Sequence, residues 1–232
     1  MKENKYDDNI FFQKYSQMSR SQQGLAGAGE WETLRKLLPD FKDKRVLDLG
    51  CGYGWHCIYA MEHGASSVVG VDISHKMLEV AKEKTHFPQV EYKCCAIEDV
   101  EFPEESFDVI LSSLAFHYVA DYEILVKKIY RILKSGGKLV FTVEHPVFTA
   151  YGTQDWYYNE KGEILHFPVD NYYYEGKRTA VFLGEKVTKF HRTLTTYLNT
   201  LLSNGFIINH IVEPQPPEYM MDIPGMQDEM RR

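Results

Sequence analysis

One run of residues restricts the fold of this chain more than any other, Val46-Leu-Asp-Leu-Gly-Cys-Gly-Tyr-Gly54. It begins in an almost wholly apolar segment, which is typical of a strand covered on both faces of a sheet. The glycines at 50, 52 and 54 then let the backbone turn tightly and approach a ligand that any Cβ atom would push away. The run therefore predicts a buried strand that leads into a ligand-binding loop.

Strand-like apolar runs alternate with helix-period stretches from Lys44 to about Val143, which indicates an α/β fold with a parallel sheet. The predicted strands are Arg45–Leu49, Val68–Asp72, Val90–Cys94, Phe107–Ser112 and Gly137–Val143. The clearest helix precedes the last of them, with Asp121 as its cap and Gly136-Gly137 as its end. Ser74 caps another helix directly after the second strand.

We expect one domain, residues 1–232, built on a doubly wound and mostly parallel sheet of the seven-stranded type. Its predicted parts are an N-terminal helical flap (1–40), a core (41–145), an aromatic lid inserted after the fifth strand (146–190) and a C-terminal region (191–232). That region holds a helix, Thr193–Leu202, and a strand, Phe206–Val212. No apolar strand follows, so the final antiparallel strand is either absent or outside the sequence. We expect the second, because Phe206–Val212 would otherwise be an exposed edge.

Composition excludes several classes of partner. The net charge is -7 and the 26 basic residues are scattered, so we expect no nucleic-acid partner. The N-terminus is polar and no run reaches transmembrane length, which predicts a cytoplasmic protein with no membrane partner. The four cysteines have no Cys-x-x-Cys spacing, so we expect reduced thiols and no metal site.

The glycine loop alone leaves two cofactor classes open, because the dinucleotide fingerprint Gly-x-Gly-x-x-Gly is similar. Here the spacing is Gly-x-Gly-x-Gly, and Trp55 stands where that fingerprint has its third glycine. Its bulk argues against a nicotinamide cofactor. Asp72 ends the second strand, where a carboxylate can accept hydrogen bonds from the ribose of an adenosine cofactor. An NAD(P)-dependent oxidoreductase and a non-catalytic cofactor-binding protein remain the alternatives.

Several segments resemble the class I S-adenosylmethionine-dependent methyltransferases. They are the run from Val46 to Gly54, Asp72, and Ala96-Ile-Glu-Asp-Val-Glu-Phe-Pro103 followed by Ser106-Phe-Asp-Val-Ile. Ser112-Ser-Leu-Ala-Phe-His-Tyr118 and Thr142-Val-Glu-His-Pro146 are similar to a small-molecule subgroup. The resemblance implies S-adenosylmethionine as cofactor, S-adenosylhomocysteine as product and a small-molecule substrate, methylated at oxygen or nitrogen rather than carbon.

The same resemblance implies roles for individual residues. Gly50 and Gly52 would face the methionine part of the cofactor, and Tyr15 and Arg20 would close over its carboxylate. Ile73 and Met77 would contact the adenine, with the Ile97 backbone and Glu98 at its edge, because Ala96 stands where relatives often have an acid. The full predicted set is Tyr15, Arg20, Asp48, Gly50, Cys51, Gly52, Trp55, Asp72, Ile73, Met77, Ala96, Ile97, Glu98, Ser112 and Ser113.

Methyl transfer requires an in-line donor and acceptor, and a base if the acceptor carries a proton. His117 follows the fourth strand, and Glu144 and His145 follow the fifth. The carboxyl ends of parallel strands face one crevice, so we expect both histidines to share a pocket. In and after the lid, aromatic and cationic side chains that suit a substrate site are Trp156, Tyr172, Arg178, His191 and Arg192. Their alternative role is packing in a small satellite core.

Overall fold

A computed structural model of the chain describes residues 3–223 and 225–231. Its central sheet has five parallel strands in the order β3-β2-β1-β4-β5. These strands are β1 (Arg45–Leu49), β2 (Ser67–Asp72), β3 (Val90–Cys94), β4 (Phe107–Ser113) and β5 (Leu133–Thr142). The strand order reverses between β1 and β4, so the loops after these two strands face the crevice at the carboxyl edge. The predicted α/β class and parallel sheet are confirmed.

Helices cover the sheet and form the flap that precedes it. The described residues contain α1 (Asn9–Ser16), α2 (Ser19–Gln22), α3 (Trp31–Leu37), α4 (Trp55–Glu62), α5 (His75–Lys84), α6 (Tyr122–Ile132), α7 (Pro146–Ala150), α8 (Leu194–Ser203) and α9 (Met226–Glu229). None of the helices in this part of the chain is both long and apolar enough to cross a bilayer. The predicted caps form: Ser74 Oγ accepts the Met77 amide, and Asp121 accepts the Ile124 amide.

The glycine pair Gly136-Gly137 does not end α6, which corrects the sequence prediction. The helix ends at Ile132, and β5 begins at the next residue because Leu133 pairs with Phe107. The register then jumps, so that Val109 pairs with Lys138, and Gly136 takes a positive φ of 75° within the irregularity. The glycines therefore form a bulge inside a strand rather than a helix end.

The lid contains two antiparallel ladders, which the sequence pattern did not predict. The smaller pairs β6 (Tyr157–Tyr158) with β7 (Ile164–His166), and the larger is a hairpin of β8 (Gly176–Phe182) and β9 (Glu185–His191). Leu183 and Gly184 join the hairpin with φ values of 53° and 79°. Two consecutive positive φ angles make the tight turn whose twist matches paired strands.

The flap and the hairpin pack against each other. Phe11 of α1 is fully buried with Ala180 and Val187 of the hairpin, and its ring lies 5.7 Å from that of Phe182. Lys14 Nζ donates to the Leu183 carbonyl at 2.9 Å. We call residues 3–16 together with the β8–β9 hairpin the cap, because these two parts form one small core above the carboxyl edge of the sheet.

The predicted strand Phe206–Val212 does not form. Residues 206–217 have neither helical nor strand structure, although Phe206 and Ile208 pack on the main core and Ile207 is exposed. A cavity of about 1350 Å³ lies between this segment and β5. The in-and-out pattern of a strand is thus present, but a strand also needs a hydrogen-bonded neighbour. The described residues accordingly form a five-stranded central sheet, not one of seven strands.

Candidate active site at the carboxyl edge of the sheet

The loop after β1 forms the floor of the site. Gly50 and Gly52 have φ values of 81° and 52°, which favour glycine. A Cβ atom on Gly50 would lie 2.5 Å from the Cβ of Ala115, so glycine allows the loop after β4 to come close. In front of Gly52 the space is open, because apart from its chain neighbours no atom of the described residues lies within 4 Å of where its Cβ would be. Bare backbone therefore faces the crevice at Gly52.

Asp72, at the end of β2, is tied to this floor. Its two carboxylate oxygens accept the Gly52 and Ser74 amides, each at 2.9 Å. Burial raises the pKa of Asp72, while these backbone donors act in the opposite direction. The carboxylate is thus fixed beside the bare loop, where the sequence predicted a partner for ribose.

A cavity of about 70 Å³ lies between the flap and the glycine loop. Its walls include seven of the residues predicted to bind the cofactor, Tyr15, Arg20, Gly50, Cys51, Gly52, Trp55 and Ser113. The flap also contributes Glu30, which the sequence analysis did not single out, and Glu30 forms an ion pair with Arg20. The cavity therefore holds one cationic and one anionic side chain beside bare backbone.

Two further predicted residues lie beneath the loop rather than in the cavity. Asp48 is 1% exposed and accepts a hydrogen bond from Cys57 Sγ, and Ser112 Oγ donates to the Leu49 carbonyl at 2.7 Å. Both join neighbouring elements inside the core. Their position indicates support of the loop and not direct contact with a ligand.

The residues predicted for adenine follow β2 and β3. Met77, Ala96 and Ile97 are buried, and the Glu98 carbonyl accepts Lys128 Nζ at 2.7 Å. Near them, the N-terminal turn covers the start of α5, where the Ile73 carbonyl accepts Asn4 Nδ2 at 3.2 Å. Asp7, in the same turn, accepts the Ser74 hydroxyl at 2.6 Å and the Lys76 amide at 3.1 Å. The N-terminal turn of the flap thus also contacts the residues that directly follow Asp72.

A second polar cluster lies under the hairpin of the cap. Glu144 accepts Lys189 Nζ and also Gln154 Nε2, the latter at 2.7 Å, and Gln154 Oε1 accepts Lys189 Nζ at 2.8 Å. Lys189 is only 3% exposed. Burial raises the pKa of Glu144, but His117 and Lys189 lower it more, and the pKa lies below its ordinary value. Glu144 is therefore an ionised carboxylate in a nearly closed space.

His117 lies beside this cluster and is itself buried. Its Nδ1 accepts the Glu144 amide at 3.4 Å, and its Nε2 is 4.0 Å from Glu144 Oε1. Burial lowers the pKa of His117 to about 4, although the charge of Glu144 acts in the opposite direction. The ring is therefore neutral near pH 7.

Four tyrosines, which we call the tyrosine row, connect the two parts of the site. They are Tyr53, Tyr15, Tyr6 and Tyr118, with ring centres 5.9, 5.3 and 6.4 Å apart in that order. The hydroxyl groups of Tyr6 and Tyr118 are 3.3 Å apart, and Lys189 Nζ lies 6.0 Å from the centre of the Tyr118 ring. Neighbouring tyrosine rings thus link the glycine loop to the Glu144 cluster.

His145 is not brought together with His117, although the sequence analysis expected one shared pocket. Its Nε2 is 2.7 Å from Glu213 Oε1 in the C-terminal segment, and its Nδ1 accepts the Val147 amide. Its side chain therefore caps α7 and faces away from the Glu144 cluster. Consecutive residues of an extended chain point in opposite directions, and Glu144 takes the inward one.

Most lid residues predicted to bind substrate have side chains that bond to or pack on other groups of the protein. His191 lies between Thr149 Oγ1 and the Tyr172 carbonyl, at 2.7 and 2.8 Å. Arg192 donates to the carbonyls of Val119 and Ala120, and Arg178 donates to those of Ala150, Asn171 and Tyr174. The Tyr172 hydroxyl accepts the Leu194 amide, and Trp156 packs on Phe167. These contacts favour the alternative role, packing of the lid on the core.

Lys189 and Gln154 were missed by the sequence analysis. A usable signal was present for Lys189, because it alternates with Val187 and His191 along β9, and all three are buried. A lysine on the buried face of a strand requires an anionic partner. Gln154 has no comparable signal in the sequence.

Known proteins with the same fold decide the family. Residues 47–141 match the methyltransferase domain family. A Mesorhizobium loti S-adenosylmethionine-dependent methyltransferase superposes with a TM-score of 0.83 and is 40% identical over 90% of this chain and 95% of its own. A Listeria monocytogenes protein assigned to the same class has a TM-score of 0.86 and 57% identity over 90% and 94% of the two chains. The chain belongs to the S-adenosylmethionine-dependent methyltransferases.

A third relative of this methyltransferase is matched over a shorter stretch. The ubiquinone biosynthesis O-methyltransferase of Coxiella burnetii is 36% identical over 112 residues, which is 47% of each chain. That relative is named for an O-methylation reaction.

The geometry of the methyltransferase fits its cofactor. Bare backbone at Gly52 and the Arg20 guanidinium line the cavity, and the carboxylate of Asp72 is fixed beside the same loop. These groups are complementary to a molecule with a ribose and an amino-acid carboxylate. When bound, S-adenosylmethionine supplies a methyl group on a positively charged sulfur. The nicotinamide alternative is thereby set aside, since the family and the loop agree on the same cofactor.

Proposed function

We propose that this methyltransferase transfers the methyl group to an oxygen or nitrogen atom of a small molecule that binds between the tyrosine row and the Glu144 cluster. The observation that supports this proposal is the ion pair of Glu144 and Lys189 under the cap. Burying two charges is costly, and such groups in a crevice are typical of sites that handle polar ligands.

A hydroxyl or ammonium acceptor must lose a proton during methylation. The lone pair of His117 Nδ1 is engaged by the Glu144 amide, so its other ring nitrogen carries the proton when the ring is neutral. His117 is therefore poorly placed to accept a further proton, and Glu144 is the better proton acceptor. In this proposal His117 and Lys189 position the Glu144 carboxylate, and His145 has no part in the reaction.

The enclosure of the site supports a small acceptor. The flap covers the glycine loop and the hairpin covers Glu144, and Phe11 joins these two covers. A substrate held under the cap would be shielded from water, which strengthens electrostatic interactions and keeps donor and acceptor in line. Alignment alone can supply about 7 to 11 kcal/mol. The name of the Coxiella relative is consistent with O-methylation.

Replacing Glu144 by Gln tests the proposal. A panel of small hydroxyl and amino compounds is first assayed with labelled S-adenosylmethionine to find an acceptor for the wild type. On that acceptor we expect Glu144→Gln to lower kcat by about 10² to 10⁴, the usual contribution of a positioned base. Calorimetry should show unchanged binding of S-adenosylhomocysteine, because Glu144 lies outside the cofactor cavity.

Glu163→Gln is the matched control, since Glu163 is exposed in the lid and bonded only to Asn159 in the described structure. It should keep wild-type kcat. Full activity of Glu144→Gln, with kcat against pH unchanged, would remove Glu144 from the reaction. Methylation of a protein or nucleic acid and of no small molecule would overturn the choice of acceptor class.

A further inference from the structure

The ion pair of Arg20 and Glu30 lies inside the cofactor cavity. Arg20 belongs to α2, and Glu30 is the residue before α3. Their side chains are 24% and 18% exposed, and both line the cavity together with Gly50 and Gly52. A pair that only fastened α2 to α3 would not need to face the space beside the glycine loop.

Within the cavity, Arg20 is the positively charged side chain that pairs with Glu30. His56, which lines the same cavity, is half-buried, and its removal from water lowers its pKa to about 4. It is therefore uncharged near pH 7. The backbone that carries the pair is closely packed, because a Cβ atom on Gly27 would lie 2.4 Å from the Ser19 carbonyl oxygen. The two side chains are thus held at neighbouring positions by a tight α2 turn.

We infer that Glu30 binds the α-ammonium group of the donor's methionine part while Arg20 binds its carboxylate, so that the ion pair opens when the donor enters. Ammonium and carboxylate lie on one carbon atom of the ligand, and carboxylate and guanidinium lie side by side in the cavity. Each charged group of the protein then exchanges its partner for the matching group of the ligand.

This exchange gives selectivity as well as affinity. Arg20 and Glu30 are already partly removed from water, so a zwitterion can replace their mutual contact without leaving either charge unpaired. A ligand that lacks one of the two charges would separate the pair and leave Glu30 or Arg20 without a partner, which is costly in a confined site. The cavity should therefore discriminate strongly against adenosyl ligands that lack the ammonium group.

The test compares two ligands on the full chain by calorimetry, S-adenosylhomocysteine and its analogue without the α-amino group. We expect the wild type to bind the analogue about tenfold more weakly or worse, as for loss of a charge-assisted hydrogen bond. In Glu30→Gln, S-adenosylhomocysteine should weaken by a similar factor and the analogue should not, so that the preference nearly disappears. Circular dichroism and a thermal melt check that the variant is folded.

Glu32→Gln is the matched control, because Glu32 lies on α3, is exposed and pairs with Arg35. It should keep the wild-type preference. Tighter binding of S-adenosylhomocysteine by Glu30→Gln would mean that Glu30 only competes for Arg20, and would overturn the inference. So would loss of the preference in Asp48→Asn with Glu30→Gln unaffected, because Asp48 would then be the ammonium partner. Neither outcome depends on the acceptor, so the proposed function is tested separately.

Discussion

At the scale of single residues, Asp48 in the first strand is a buried acid with few hydrogen-bond partners. Its Oδ2 accepts Cys57 Sγ at 3.5 Å, and its Oδ1 has no partner within the described residues. Burial raises the pKa of Asp48 to about 7, and the nearby charge of Asp72 adds to the effect. The folded protein therefore holds a proton on Asp48 at a pH where the unfolded chain has released it.

The sign of the resulting pH dependence follows from linkage. The folded pKa is raised above the ordinary value of 3.8, so stability is fully present below about pH 4 and is lost as pH rises through 7. Asn resembles the protonated acid and does not titrate. We expect the free energy of unfolding of Asp48→Asn to gain on the wild type by about 1.4 kcal/mol per pH unit between pH 4 and 7, as an upper limit.

Urea unfolding at several pH values measures this gain. Asp40→Asn, at an exposed position, provides the control and should track the wild type. A difference between Asp48→Asn and the wild type that stays constant from pH 4 to 8 would show that Asp48 is ionised throughout.

At the scale of elements, the cap depends on one side chain of α1. Phe11→Ala removes the ring that packs on Ala180, Val187 and Phe182. Such truncations of a buried phenylalanine cost about 3 to 5 kcal/mol. The loss should fall on the cap, so hydrogen exchange should quicken in β8 and β9 while β1 and β4 remain protected.

Ile10→Ala is the control for Phe11→Ala, since Ile10 is the adjacent residue of α1 and is 59% exposed. Its exchange pattern should match that of the wild type. Uniform loss of protection in Phe11→Ala, with the sheet as affected as the hairpin, would mean that the cap is not a separate unit.

The sequence predicts elements well where local pattern and tertiary environment agree. The apolar strands β1, β2 and β4 and the caps at Ser74 and Asp121 are of this kind. The β8–β9 hairpin was missed because its buried face carries Lys189 and His191, whose partners Glu144 and Thr149 come from distant parts of the chain. The segment 206–212 shows the opposite failure, since its alternation is that of a strand but no neighbour pairs with it.

The same distinction applies to the site. The glycine loop and Asp72 are predictable because a short motif fixes their place at adjacent strand ends. The role of Glu30 and the partner of Lys189 are not, because they depend on which charged side chain the fold places opposite. His145 was expected inward on the basis of its strand end alone, and the direction of a side chain at a strand end changes with every residue.

At the scale of the whole molecule, cofactor binding should be coupled to stability. Ligand contacts are expected on the core, at Asp72, and on the flap, at Arg20, so a bound ligand joins parts that are distant in the chain. S-adenosylhomocysteine at 100 times its Kd should add about 2.7 kcal/mol to the free energy of unfolding, seen as a rise in Tm. NADH is the control and should leave Tm unchanged. A rise with NADH and none with S-adenosylhomocysteine would contradict the cofactor assignment.

The small core shared by the two parts of the cap also bears on the rate of product release. Since Phe11 packs the flap against the hairpin, we expect these two parts of the cap to move together when the site opens. We therefore expect chemistry to be followed by a common opening step that releases both products, and lid opening of this kind limits kcat in many enzymes. In a methyltransferase built in this way, one opening of the cap would release both the spent cofactor and the methylated product.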